Sequence, residues 1–350
     1  MTIGGITIDG RSLSSEHPPY IVAELCANHN GSLERALSII EAAKAAGADA
    51  VKLQTYTPDT MTIDSSNPEF LLKGGLWDGY RLYELYQKAY TPWEWHEALF
   101  AKGREVGITV FSTPFDETAV DFLEQFNPPA YKIASFELID IPLIQKAAST
   151  GKPIILSTGN GSELEIASAL DACRGSGARD VILLHCVSAY PAPAEESNLR
   201  AIIYLRQRFG TQIGLSDHTL GTAVSIAATA LGACMIEKHF TLDKAQEDID
   251  GPFSIEPHEL SRLVQDTKVA WSCLGSGRLD RAPSEGAMKQ FRRSLYTVAD
   301  IAEGDVFSRD NIRSIRPGNG LSPAHLPEII GRRAKKSIMR GTPLAWELVL

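Results

Sequence analysis

The sequence predicts an α/β fold, a closed (β/α)8 barrel (TIM barrel) followed by a small β-like domain, on three observations. Short apolar runs alternate with helix-spaced segments eight times over about 260 residues, the length such a barrel occupies. The first two runs are separated by a helical crossover long enough to join parallel neighbours. Polar and charged residues gather where the apolar runs end, the face on which these barrels carry function. A doubly wound open sheet shows the same alternation and is the alternative. Against it, the first strand–helix turn runs from Cys26 to Gly31 without a Gly-x-Gly-x-x-Gly phosphate fingerprint.

Taken in order, residues 20–25 read as a buried strand, and residues 33–46 carry Leu33, Ala36, Leu37, Ile40 and Ala43 at helical spacing until Gly47 stops them. Strands follow at 50–55, 108–113, 130–134, 153–157, 181–185, 212–220 and 235–241. Helical patterns lie near 93–106, 116–125, 142–149, 162–174, 198–209, 221–231 and 257–274. Ser162 and Glu165 form a capping box at the start of one of them. Gly159 and Gly161 just before it are a weak phosphate-loop signal and equally a tight turn. Two long inserts, residues 58–90 and 241–257, would stand at the barrel mouth. The first holds Trp77 and four tyrosines, and reads either as functional or as a surface hairpin covered by its own aromatics. The second is acidic, with Asp243, Glu247, Asp248 and Asp250.

Composition changes after Gly275. We divide the chain into a barrel domain at 1–275 with a polar N-terminal extension, a Gly/Arg/Pro/Ser linker at 276–290, and a small domain at 291–350. The last contains short β-like runs at 294–298 and 312–315, and a basic character at Arg292, Arg293, Arg313, Arg316, Arg332, Arg333, Lys335 and Lys336.

The 350 residues are 44% apolar and 22% charged, with a net charge of −9, which argues against a nucleic-acid partner. No run approaches the roughly 20 apolar residues of a membrane helix, so no membrane partner is expected. Residues 1–19 do not resemble a signal peptide. Five scattered cysteines read as reduced core residues of a cytoplasmic protein.

Alternation with period two places Gly214, Ser216 and His218 on one strand face, and Met235, Glu237 and His239 on one face of the next. Two imidazoles would then meet at neighbouring strand ends; the alternative is that each His caps a strand or packs in a loop. Glu24, Lys52 and Lys132 join Glu237 as charges inside the barrel, where charges are rare without partners. Either they pair with one another, or the lysines and nearby hydroxyls hold an anion beside a metal. Two histidines suit a divalent ion that leaves positions open for substrate. Glu237 shares a face with His239 and is expected to orient an imidazole. Lys132 and Ser135 are three apart, so Ser135 must lie past the strand end.

These residues carry a resemblance. Ala23-Glu24-x4-His29-x-Gly31, Val51-Lys52-x-Gln54-Thr55, Ser112-Thr113-Pro114-Phe115 and Tyr131-Lys132-Ile133-Ala134-Ser135 are similar to motifs of the sialic acid synthase family. So are Leu156-Ser157-Thr158-Gly159, Leu184-His185-Cys186-x3-Tyr190-Pro191, Gly214-Leu215-Ser216-Asp217-His218-Thr219, Glu237-x-His239-Phe240-Thr241 and Arg316-Pro317-Gly318-Asn319-Gly320. They run in order from about residue 18 to the end. The resemblance implies a (β/α)8 barrel with a C-terminal antifreeze-like (SAF) domain. It also implies a domain-swapped homodimer, and condensation of phosphoenolpyruvate (PEP) with an N-acetylated amino sugar to a nine-carbon 2-keto acid.

By matching motif, the resemblance implies that His218 and His239 bind a divalent metal, Mn2+ or Mg2+. Lys52, Thr113, Lys132, Ser135 and Ser216 would hold PEP, with Ser188 standing where another branch of the family has an Asn. Glu24 would be the acid/base, Glu137, Tyr190 and Asp250 would lie near the sugar, and Arg316 would reach the partner's site. The insert Gly75-Leu76-Trp77-Asp78-Gly79-Tyr80, with residues through Tyr86 and Tyr90 to His96, looks like the branch whose sugar is 2,4-diacetamido-2,4,6-trideoxy-L-altrose. The N-acetylneuraminate- and legionaminate-forming branches are the alternatives. Outside the family, the same barrel could serve a metal-dependent hydrolase, or the C-terminal domain could make a non-catalytic sugar- or ice-binding protein.

Overall fold

The computed structural model describes residues 4–246, 249–279 and 282–350. Glu247 and Asp248 of the acidic insert lie outside these residues. The chain divides into two compact units, Met1–Gly275 and Ser276–Leu350.

In the first unit, strands β1 (Ile6–Ile8) and β2 (Arg11–Leu13) form an antiparallel hairpin. Its turn is Asp9-Gly10, both at positive φ, the backbone a two-residue hairpin requires. The hairpin departs from the polar extension expected above, and Ile6, Ile8 and Leu13 are buried. Eight parallel strands then follow: β3 (Tyr20–Glu24), β4 (Ala50–Thr55), β5 (Thr109–Pro114), β6 (Tyr131–Ile133), β7 (Ile154–Ser157), β8 (Val181–Cys186), β9 (Gln212–Asp217) and β10 (Met235–His239). β10 pairs with β3 from Met235↔Tyr20 to His239↔Glu24, so the sheet closes into a barrel and the open-sheet alternative falls.

Alternation sorts the side chains of each strand between two environments. One set, including Ile21, Val51, Val110, Ile133, Leu156, Leu183, Ile213 and Ile236, packs outward in the main core with the helices. The other points into the barrel. Its lower layer is apolar: Val22, Ala50, Phe111, Ala130, Ile155, Ile182, Leu184 and Met235 cluster with Ile6, Ile8 and Leu13 of the hairpin. The hairpin therefore closes the floor beneath this layer. One pleat further along the same strands, the inward residues become Glu24, Lys52, Thr113, Lys132, Ser157, Ser216 and Glu237, all buried. The change from apolar floor to polar upper layer fixes the active end.

The second unit has its own core of Leu295, Ile301, Phe307, Ile312, Ile329, Ala334, Ile338 and Leu344. It carries the antiparallel pair β11 (Ser294–Thr297) and β12 (Ile312–Ile315), and Arg316 follows β12 directly. Among the described residues, no helix is long and apolar enough to cross a membrane.

Gly214 sits in the lower layer, where an added Cβ would lie 2.6 Å from both Leu184 Cδ2 and the Met235 carbonyl oxygen. The carbonyl belongs to the neighbouring strand and cannot step aside. Gly214→Ala should therefore lower unfolding stability by about 1–3 kcal/mol, read by urea denaturation. An unchanged midpoint would contradict this packing.

Candidate active site at the C-terminal mouth of the barrel

The upper layer is an ion network. Lys52 Nζ lies 2.5 Å from Glu24 Oε2 and 3.7 Å from Glu237 Oε1, and donates to Thr113 Oγ1 at 3.0 Å. Lys132 Nζ and Ser216 Oγ each sit 3.4 Å from the same Glu237 oxygen. Gln54 Nε2 donates to Glu24 Oε1 at 3.1 Å. None of the four charged residues is more than 5% exposed. Two carboxylates and two ammonium groups thus balance inside the barrel.

Burial shifts each group, and its neighbours decide the net direction. Burial pushes the Glu24 carboxyl up to about 7, against the pull of Lys52. Burial also works to raise Glu237, but Lys132 and Lys52 hold it below the usual carboxylate range. Burial lowers Lys132 on balance, whereas for Lys52 the two glutamates outweigh burial and raise it. Glu24 is therefore the more basic carboxylate. The expectation that Glu237 orients an imidazole is corrected: its hydrogen bonds go to Lys132 and Ser216. Parity places a residue on a face but does not show which charge faces it across the barrel.

Beside the lysines is a group of hydroxyls. Ser135 lies beyond β6, as its spacing required, at the start of a short 3-10 turn, Phe136–Ile139. Its Oγ accepts the Gly159 N–H at 3.1 Å. An added Cβ at Gly159 would collide with the hydroxyls of both Ser188 and Ser135, so glycine is what lets these two approach. Ser157 points inward, fully buried, and its Oγ has no hydrogen-bond partner.

The histidines stand at the rim. Outward-facing Asp217 secures the turn after β9 by accepting from Ser225 Oγ at 2.5 Å and the Thr219 N–H at 2.9 Å, with Lys238 3.0 Å away. His218 follows directly. Its Nδ1 is 2.9 Å from the Val187 carbonyl oxygen, which can only accept, so Nδ1 carries a proton; with Nε2 unprotonated this is the arrangement of a metal-ligating histidine. Burial works to lower His218, but its contact with Cys186 raises it. Burial drives His239 well below the usual imidazole range, so it is neutral. The two rings are 5.5 Å apart. Among the described residues His239 Nδ1 has no hydrogen-bond partner, and it lies 3.9 Å from Asp250 Oδ2. Ligand atoms of Cys26, His239 and Asp250 all fall within 4.8 Å of one another, a group able to hold a metal.

Above the network opens a cavity of about 470 Å³. The insert at 58–90 lines it with Met61, Leu72, Trp77, Leu82, Leu85 and Tyr86, so this insert is no mere surface hairpin. Trp77 Nε1 donates to the Ile249 carbonyl at 3.3 Å, tying the first insert to the second. Glu137, Tyr190, His239 and Asp250 share the wall, with Tyr190 4.3 Å from the His218 ring. The fold places Glu24, Lys52, Thr113, Lys132 and Ser216 in the upper layer, Glu137, Tyr190, His239 and Asp250 on the cavity wall with His218 beside Tyr190, and Ser135 and Ser188 together over Gly159, while Arg316 belongs to the second unit. Sequence reading missed Cys26 and Cys186, both classed with the core. Cys186 Sγ lies 3.8 Å from His218 Nδ1 and 3.7 Å from Ser188 Oγ. Cys26 is two residues beyond Glu24, and that spacing was the available signal.

A model of the NeuB family matches residues 39–279 of this chain. The chain belongs to the NeuB family. A SAF-domain model matches residues 292–350. Two NeuB-like relatives are similar along nearly their whole lengths. A pseudaminic acid synthase of Helicobacter pylori is 46% identical over 94% of this chain and 97% of its own. One from Campylobacter jejuni is 44% identical over 95% and 97%. Among solved structures, the N-acetylneuraminic acid synthetase of Leptospira borgpetersenii, in complex with citrate, superposes with a TM-score of 0.73 at 33% identity, covering 81% of this chain and 95% of its own. Family membership and the closed barrel agree, and the polar layer lies at the end where barrels act.

Glu137 yields a pH test that needs no substrate. Burial raises its carboxyl from 4.5 to about 7. Ionising it in the fold therefore costs stability as pH rises between those values, and the cost persists above them. Glu137→Gln should gain stability relative to the wild type on going from about pH 5 to about pH 8, read by thermal unfolding. A pH-independent difference would contradict the buried carboxyl.

Proposed function

We propose that this NeuB-family chain is a transferase that condenses PEP with 2,4-diacetamido-2,4,6-trideoxy-L-altrose and water, giving pseudaminic acid and phosphate. The observation that carries this reading is end-to-end similarity to two pseudaminic acid synthases at 44–46% identity. The insert-lined cavity supports it, because its largely apolar wall suits a deoxy sugar bearing acetyl groups.

In this reading Lys52, Lys132, Thr113, Ser135, Ser188 and Ser216 hold the phosphate and carboxylate of PEP, with charge-assisted hydrogen bonds from the lysines. His218 and His239 would hold a divalent ion, Mn2+ or Mg2+, which would supply Lewis-acid polarisation of the sugar aldehyde. Both imidazoles fit that task, one with its proton fixed by Val187 and one neutral with an unpartnered nitrogen. The C2=C3 π pair of PEP forms the new C–C bond from C3 to the aldehyde carbon, the C=O π pair moves to the aldehyde oxygen, which takes up a proton, and C2 is left cationic. Water adds at C2 and yields a proton to Glu24, whose raised carboxyl suits proton transfer near neutrality; such a group contributes about 10²–10⁴-fold. The bond from C2 to the phosphate ester oxygen then breaks, phosphate leaves with the electron pair, and the C2 hydroxyl loses its proton to become the keto group. Glu137, Tyr190 and Asp250 orient the sugar. The chain works in the cytoplasm as a domain-swapped homodimer in which Arg316 of the SAF domain completes the partner's site.

Incubation with PEP, Mn2+ and the altrose should release phosphate. N-acetylmannosamine and the sugar precursor of legionaminate should release far less. No release with the altrose, or equal release with all three sugars, would overturn this assignment.

A further inference from the structure

We propose that Cys26 is a thiolate ligand of the divalent ion at His218 and His239, so that Cys26 and Asp250 join the histidines in a cation site preferring thiophilic ions such as Zn2+ and Co2+. This rests on the reading that His239 binds metal, and it adds a ligand of a different chemical class.

Several features converge on the cluster. Cys26, His239 and Asp250 are buried, and all three border the cavity, so an ion held there keeps an open face toward it. Cys26 sits at φ +42, a backbone region uncommon for any non-glycine residue, at the end of β3. Such strain persists only where the surroundings enforce it, and it concentrates at functional sites. Here they do enforce it. The next residue, Ala27, donates its N–H to Asp250 Oδ2 at 3.3 Å. Asn28 Nδ2 donates to Ser254 Oγ at 2.8 Å, and Ser254 Oγ donates to the Asp250 carbonyl at 2.7 Å. The Cys26 turn and the Asp250 turn are thus laced together next to His239. Among the described residues, nothing claims His239 Nδ1 by hydrogen bond.

The ligand atoms of Cys26, His239 and Asp250, within 4.8 Å of one another, must draw in by about 1 Å to meet bonds of about 2.0–2.3 Å. On binding, the Cys26 S–H bond breaks and its proton passes to solvent; the resulting thiolate and the Asp250 carboxylate together neutralise a divalent charge, and thiolate favours Zn2+ and Co2+ over Mg2+ and Mn2+. The cysteine therefore sets metal preference.

The test is Co2+ titration of the metal-free full chain, followed in the near ultraviolet. A thiolate-to-cobalt charge-transfer band should appear, vanish in Cys26→Ser, and persist in Cys186→Ser, the control for the other cysteine near an imidazole. Competition dialysis should show the Zn2+-over-Mn2+ preference of Cys26→Ser falling by about 10- to 100-fold, the range found for removing even outer-shell partners. Co2+ binding without the band, a band that survives Cys26→Ser, or an unchanged preference overturns the proposal. If Cys26→Ser does not fold by circular dichroism, Cys26→Ala takes its place, and absence of the band in the wild type is decisive by itself. Phosphate release with Mn2+ is measured on the same wild-type preparation. Its failure with the band present overturns the proposed reaction and not the cation site.

Discussion

The structure depends on four charges buried inside a barrel. Glu24, Lys52, Lys132 and Glu237 could not be placed there singly, since an isolated buried ion costs several kcal/mol even after relaxation. They persist as a mutually neutralising set linked through Glu237 Oε1, 3.4 Å from Lys132 and 3.7 Å from Lys52. Apolar residues of similar volume would be at least as stabilising there, so stability does not explain the choice. The proposed binding of anionic PEP among the lysines would. A doubly charged ligand arriving among the lysines and serines can take over part of Glu237's role as counter-ion.

The remainder of the barrel serves that layer. Beneath it, Phe111, Ile155, Leu184 and Met235 pack against Ile6, Ile8 and Leu13 of the N-terminal hairpin, which keeps water from reaching the charges from below. Above it, the inserts build the cavity, joined through Trp77 and Ile249. The division matches a barrel's usual economy: strands hold the chemistry in rigid positions, and loops select the substrate. His218 and His239 stand at the boundary, one secured through Val187 and the Asp217 turn, the other facing Cys26 and Asp250.

Much of this was legible in the sequence because barrel strands have a strict period of two. Ser216 with His218, and Glu237 with His239, could be assigned to common faces, and Ser135 could be moved off its strand, by counting alone. Closure could not be read so directly, since an open sheet shares the alternation; the β10–β3 pairing decides it. Partners across the barrel were also hidden, because parity gives a face and no distance, and so Glu237 was assigned to an imidazole when it serves the lysines. The hairpin had a signal, Asp9-Gly10 between alternating apolar residues, that the polar composition of residues 1–19 obscured. Cys26 was read as core because a buried cysteine usually is. Its role emerged only when Asp250, more than two hundred residues away, was brought beside it.

The most direct test of the charge network is thermal unfolding with and without PEP, in the wild type and in Lys132→Met. PEP should stabilise the wild type, by about 2.7 kcal/mol when present at 100 times its dissociation constant. Lys132→Met, folded but lacking one of the two interior cations, should show little or no response at the same concentration. Equal stabilisation of both proteins would mean that PEP does not bind at the buried lysines.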